Sequence, residues 1–306
     1  DYLGVVCKQF PRYSEYYGTI KESGIGLACE EAARIILSEN RPFSMETAAC
    51  DEEYEPSSEY DSSFALQIFA AREAVFKILA KESLSIHEKL IVILDMGSKI
   101  QQCINTDEYD NIKSVVNDYL KEGIAHTLDE TRNLSDSGQF EDISLQQGIR
   151  QILYPYEEME VLNPEWEVIL KDIIDSLFEQ MSDEEYNILN EEFGTYMVSR
   201  AYEYRQLLEY FVFRYFAKSI YDYDFLGKCQ MLVTNFFVIR QMDIIRWLDN
   251  HREYSFKDRM DVVHIFSRQV EYSEDNIENL YEDFIFDDIF KTDSLIAILW
   301  IDSENI

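Results

Sequence analysis

Apolar residues recur at helical spacing through most of the chain beyond residue 62, in long stretches poor in glycine and free of proline. Phe64, Ile68, Val75 and Leu79 fall on or near one stripe, which predicts a helix from about Ser63 to Ala80. Ser85 and Glu88 fit a capping box ahead of a helix through roughly Ile104. A third helix is expected from Tyr109 to about Leu128, then a polar loop over 133–148 that contains Gly138 and Gly148. Asn163-Pro164 reads as an N-cap with proline at the first helical position, opening a helix through Met181. Two strongly apolar helices follow near 185–220 and 228–250, and the last helices fall at about 256–270, 273–286 and 292–301. Asn235, Arg240, Gln241, Asp243 and Arg246 keep the 228–250 segment from being a membrane span.

The first fifty residues differ in texture. Tyr16-Tyr17-Gly18-Thr19 and Ser23-Gly24-Ile25-Gly26 are turn-rich, and Glu30 to Leu37 reads as a short helix. Residues 51–62 form an acidic loop. The expected fold class is therefore all-α: an irregular multi-helix domain over 63–306 with a small, loop-rich N-terminal subdomain over 1–50. No period of 20–50 residues indicates a solenoid.

Composition narrows the function. The 306 residues carry 27 Lys+Arg against 60 Asp+Glu, a formal charge of −33. That balance argues against nucleic acid and against an anionic membrane surface, since both are bound through lysine and arginine. It favours a cationic partner. With 21 Tyr and 19 Phe the chain has too many aromatics to stay disordered. The five cysteines (7, 29, 50, 103 and 229) are odd in number and widely spread, which fits a reducing cytoplasm better than a disulfide framework.

Phosphate-binding glycine motifs are missing: Gly24-Ile25-Gly26 lacks a third glycine and a preceding parallel strand, and reads as a turn. His87, His126, His251 and His264 share no metal-ligand spacing, and no Gly-x-Ser-x-Gly elbow exists. Three features remain. Cys29 sits where the helix at Glu30 has its N-cap; helical N–H groups there favour a thiolate, as ligand or nucleophile, while Glu30 and Glu31 oppose it. The bland alternative is that Cys7 and Cys29 are simply buried. Arg214, Lys218, Arg240 and Arg246 lie inside apolar helices, and Asp243 can reach both Arg240 and Arg246 at i,i+3 spacing. They form either a core ion-pair network or a pocket for an anionic cofactor group. The tyrosines of 202–225 either pack the core or hold a lysine ammonium against their rings.

Cys7-Lys-Gln-Phe-Pro-Arg12 and Leu27-Ala28-Cys29-Glu-Glu-Ala-Ala-Arg34-Ile-Ile-Leu37 resemble the flagellin lysine N-methylase family. That family shows a Cys-x-x-Tyr-Pro-Arg segment and then a Leu-Ser-Cys-Pro-Glu-Ala-Ala-Arg-Leu segment. The similarity continues through Tyr210-Phe-Val-Phe-Arg-Tyr-Phe-Ala-Lys-Ser-Ile-Tyr-Asp222 and Phe266-Ser-Arg-Gln-Val-Glu271-Tyr-Ser-Glu-Asp-Asn276. Phe10 stands for the family's Tyr, Glu30 for its Pro and Tyr272 for its His. The resemblance implies methyl transfer from S-adenosylmethionine to lysine ε-amines of flagellin in the cytoplasm. It also implies an iron–sulfur centre, with Cys7 and Cys29 matching two of its cysteine ligands and the others expected upstream of the present start. Residues 1–50 are then the remnant of a cysteine-rich metal-centre subdomain, and the chain alone is expected to be inactive, since two thiolates leave a four-cysteine cluster incomplete. Two alternatives stay open: a non-enzymatic helical module binding a basic or flagellar partner, and a metal-centre protein with another role.

Overall fold

The computed structural model describes residues 10–49, 61–136 and 143–304. Polar residues that satisfy free N–H groups set most helix starts. Asp61 accepts from the amides of Ser63 and Phe64 and opens α2 (Ser62–Leu79), after the short α1 (Glu30–Leu37). The Ser85–Glu88 capping box forms as expected and opens α3 (Ile86–Asn105). A continuous run of single-turn, α and π segments then carries Tyr109 to Asp136 and contains α4 (Ile112–Asp118) and α5 (Ile124–Asp136). The expected loop over 133–148 is mostly replaced. Helix persists to Asp136, residues 137–142 lie outside the described set, and Gly148 sits inside α6 (Leu145–Glu157). A Cβ at Gly148 would meet Ile298 at 3.0 Å, so the glycine serves helix packing rather than a turn. The acidic loop at 51–62 also falls outside, apart from Asp61 and Ser62.

Asn163 and Pro164 start α7 (Pro164–Ile173), which runs on as a π segment to Glu179. The two long apolar stretches become α8 (Asp183–Met197), α9 (Ala201–Tyr215), the one-turn α10 (Ser219–Asp222) and α11 (Phe225–Asp249). Then come α12 (Phe256–Phe266), α13 (Glu274–Phe286) and α14 (Thr292–Glu304). Helix α11 is buried almost throughout and packs against α3, α6, α7, α9, α12 and α13. A Cβ at Gly97 would lie 2.5 Å from Cys229 Sγ, so this glycine lets α3 and α11 approach closely and explains why Cys229 is a core residue.

The N-terminal region departs from the turn-rich expectation. Arg12–Tyr17 (β1) and Ile20–Ile25 (β2) pair antiparallel, with Tyr17 opposite Ile20 and Arg12 opposite Ile25. Gly18 takes a positive φ of 61° in the connecting turn. Gly24-Ile25 is thus strand. Tyr13 pairs with Gly24, and its ring lies across the glycine: a Cβ there would sit 2.5 Å from the hydroxyl. The hairpin is fastened to the helices by Tyr17, set edge-on to Phe69 and stacked on Tyr221. Arg72 of α2, itself buried, grips both carboxylate oxygens of Glu22.

The C-terminal helix is tied in by charge. Asp302 is fully buried, accepts from Asn190 Nδ2 at 2.5 Å, and lies 2.6 Å from His87 Nε2 and 3.8 Å from Arg240 Nη1. Burial alone would raise its pKa, but Arg240 and His87 bring it down from 3.8 to about 2. A depressed carboxyl stabilises the fold above its unfolded pKa and loses that contribution as pH falls through the folded value. We expect roughly 2 kcal/mol to be lost from this group between about pH 4 and pH 2. Urea unfolding of wild type and Asp302→Asn across that window checks this, the variant showing a shallower acid slope.

Candidate functional site

The residues that carry the sequence resemblance meet beside the hairpin. Cys29 is the N-cap residue of α1, with extended φ and ψ of −105° and 120° and no side-chain cap hydrogen bond. Its thiol side is partly exposed and borders a cleft of about 760 Å³. The cleft draws on Phe10 and Cys29 from the N-terminal region, and on His264, Arg268 and Tyr272 from α12 and the π turn after it. Helix α1 packs on both α12 and α9, which is what brings these distant segments together.

Behind the cleft lies a buried acid. Glu271, in the π turn Ser267–Glu271, accepts on Oε2 from Tyr210 Oη and Tyr215 Oη, each at 2.9 Å. Arg214 Nε stands 3.7 Å from the same oxygen, and its guanidinium is stacked on the Tyr13 ring at 3.8 Å. Oε1 has no aligned hydrogen-bond partner among the described residues. Burial pushes the Glu271 carboxyl up, and the Arg214 charge and the tyrosine hydroxyls partly restore it. Burial, reinforced by the Glu271 charge, pushes Tyr210 and Tyr215 well above the ordinary tyrosine value. The Tyr210 hydroxyl also accepts from the Leu27 amide at 3.4 Å, two residues before Cys29. A Cβ at Gly26 would lie 3.8 Å from Tyr272 Oη and 3.9 Å from Tyr210 Oη, so this strap passes beside both hydroxyls.

The four basic residues singled out from sequence go to three places. Arg214 and Lys218 flank the Tyr215 ring, at 5.7 and 5.8 Å, and Lys218 also pairs with Glu15 at 3.2 Å. Arg240 is buried and serves Asn190 and Asp302. Arg246 is half-buried farther along α11, bordering a separate 260 Å³ hollow beside Glu165 and Asp249. Asp243 takes Arg259 as its partner, at 2.6 Å, rather than Arg240 or Arg246. Tyr204 donates to it at 2.6 Å, and Tyr254 also donates to it. Cys7 lies outside the described residues. Among those residues no group of three or more His, Cys, Asp or Glu side chains could hold a metal, and no helix is long and apolar enough to cross a membrane.

Glu271 was not singled out as a chemical group, although it stands inside a resemblance segment. Arg268 stands inside the same segment, while His264 and Met260 carry no local signal. Their helix faces the cleft only because α1 docks on it.

The described residues thus form a mostly helical body with a cysteine-bordered cleft backed by a tyrosine-held carboxylate. The chain belongs to the FliB lysine N-methylase C-terminal domain family, whose model matches residues 72–298. Tyr210, Arg214, Glu271 and Tyr272 lie inside that span, and Cys29 lies before it. No curated protein and no solved structure matches the chain.

Proposed function

We propose that this chain is the helical portion of a protein-lysine N-methylase that moves a methyl group from S-adenosylmethionine to lysine ε-amines of flagellin. The observation that carries the reading is the placement of Glu271 and its tyrosines behind the Cys29 cleft, inside a family named for lysine methylation. S-adenosylmethionine supplies an electrophilic methyl on a sulfonium. The lysine nitrogen needs its lone pair free to attack, so the ammonium has to shed a proton first. Glu271 is the acceptor in this reading: Tyr210 takes the ammonium proton as its own hydroxyl proton passes to Oε2. Burial raises the Glu271 carboxyl, and the Arg214 charge opposes that rise and favours the ionised form.

The cleft fits the donor in size, since small-molecule sites span roughly 300–1,000 Å³. Phe10 and Tyr272 offer ring faces to a base, with centroids 6.4 Å apart, and exposed Arg268 offers a partner for a carboxylate. Cys29 suits a thiolate ligand because its side chain is not spent on the helix cap. A cluster would need Cys7 and further cysteines from outside the described residues. The acidic surface attracts a lysine-bearing partner.

Incubating the full-length parent with flagellin and S-adenosylmethionine should add methyl-sized mass increments on lysine, read by peptide mass spectrometry. No increment with an intact metal centre would sink the reading. In the same protein, Cys29→Ser should lose bound iron and sulfide, read by elemental and sulfide analysis, while the circular-dichroism spectrum stays helical.

A further inference from the structure

We propose that the 320 Å³ cavity bordered by Tyr13, Phe43, Gln206, Glu209, Tyr210 and Phe213 holds the alkylammonium side chain of a lysine. The choice of ligand rests on the methylase reading, but the chemistry of the walls stands apart from it. Three rings border it. Phe43 is stacked on Phe76, at 4.1 Å and 7°, and tilted by 48° to Phe213, at 5.9 Å, while Tyr13 meets Phe213 at 6.5 Å, tilted by 49°. Such faces attract a cation and pack against the methylenes that carry it.

The polar groups at the border ask for donors. Gln206 Nε2 donates to the Glu39 carbonyl at 2.5 Å, which fixes the amide's orientation and leaves Oε1 buried with no donor. Glu209 is a buried carboxylate, pushed up by burial and drawn back by Arg205, which binds one of its oxygens at 2.7 Å. An orphaned acceptor beside a carboxylate suits an ammonium, which has three donors and no acceptor. Of the cations nearby, Arg41 donates to the Ile35 carbonyl at 2.9 Å and Arg205 to Glu209, Asn40 and the Arg41 carbonyl, while Arg214 lies over Tyr13 at 3.8 Å and Arg72 over Phe213 at 5.7 Å, so none is directed at Gln206 Oε1. Tyr210 borders this cavity, and its hydroxyl donates to Glu271, so an ammonium held there is one hydroxyl away from the proton acceptor.

The test is saturation-transfer NMR on this chain with Nα-acetyl-lysine N-methylamide, against its norleucine analogue. We expect strong transfer to the lysine ε-methylene and little to norleucine. Gln206→Met and Phe43→Leu should each weaken lysine binding about fivefold, the size of one lost ammonium contact. Equal transfer to both probes, no transfer to lysine, or wild-type transfer in either variant that melts as wild type would overturn the assignment. The outcome separates from the methylase reading. Lysine binding without methylation by the full-length parent would sink that reading alone. Methylation with an unchanged KM for flagellin in both cavity variants would sink the cavity alone.

Discussion

Replacing Arg259 with Met is expected to destabilise the folded chain by about 3–5 kcal/mol, read as a lower midpoint of urea unfolding. Arg259 is 0% exposed and joins two buried carboxylates, Glu203 at 3.0 Å and Asp243 at 2.6 Å. Its guanidinium also lies over the Tyr204 and Tyr254 rings, at 4.4 and 5.4 Å. Arg200 binds Glu203 from outside at 2.7 Å, so that acid keeps a partner in the variant. Asp243 keeps only its tyrosine hydroxyls. Burial already raises its carboxyl with Arg259 present, and without that charge the rise is larger. A raised carboxyl stabilises the fold while protonated and loses that contribution as pH rises through the folded value. The variant's deficit should therefore grow from acid to neutral pH. Asp243→Asn in the same background should recover part of the loss, because the uncompensated charge is gone. A deficit under about 1 kcal/mol in Arg259→Met would place this network at the level of a surface ion pair.

The same residues show what sequence reveals and what it hides. Helix starts were legible at Ser85–Glu88 and Asn163-Pro164, where both partners of a cap lie within one turn, but not at Ser144, whose cap on the Gln147 amide opens α6 inside the expected loop. The hairpin was not legible, since tyrosines fall on both faces of β1 and the two isoleucines of β2 on opposite faces, so the strands alternate too weakly. Helical spacing pointed Asp243 toward Arg240 and Arg246, yet packing gives Asp243 to Arg259, and Arg240 to Asp302 sixty-two residues away. Local spacing lists which partners a helix allows, and tertiary contact chooses among the whole chain. The site follows suit: Tyr210 and Tyr215 reach Glu271 from 61 and 56 residues upstream. The resemblance named those segments without saying that they converge on one carboxylate. Gln206 and Phe43 gave no sign at all, because a cavity belongs to no single stretch of sequence.

Glu271→Gln in the full-length parent should lower kcat/KM for flagellin methylation by about 10²- to 10³-fold at neutral pH, the usual span for a lost proton acceptor. The amide keeps an oxygen for Tyr210 and Tyr215 and nearly the same volume, so the hydroxyls stay placed while the basic site is removed. It also leaves Arg214 without its carboxylate, which predicts some loss of stability. The pH profile separates the two effects. A free lysine titrates near 10.4, so raising the pH supplies neutral amine from solution and makes an internal acceptor less necessary. The deficit should therefore shrink steadily from pH 7 to pH 9.5 in a variant that is still folded by circular dichroism. Tyr210→Phe should show the same convergence, since it cuts the path between ammonium and carboxylate. Tyr215→Phe should not, because Tyr215 holds Glu271 from the buried side and does not border the aromatic cavity. If Glu271 served only to hold α12 and α9 together, the loss would be independent of pH and Tyr215→Phe would resemble Tyr210→Phe.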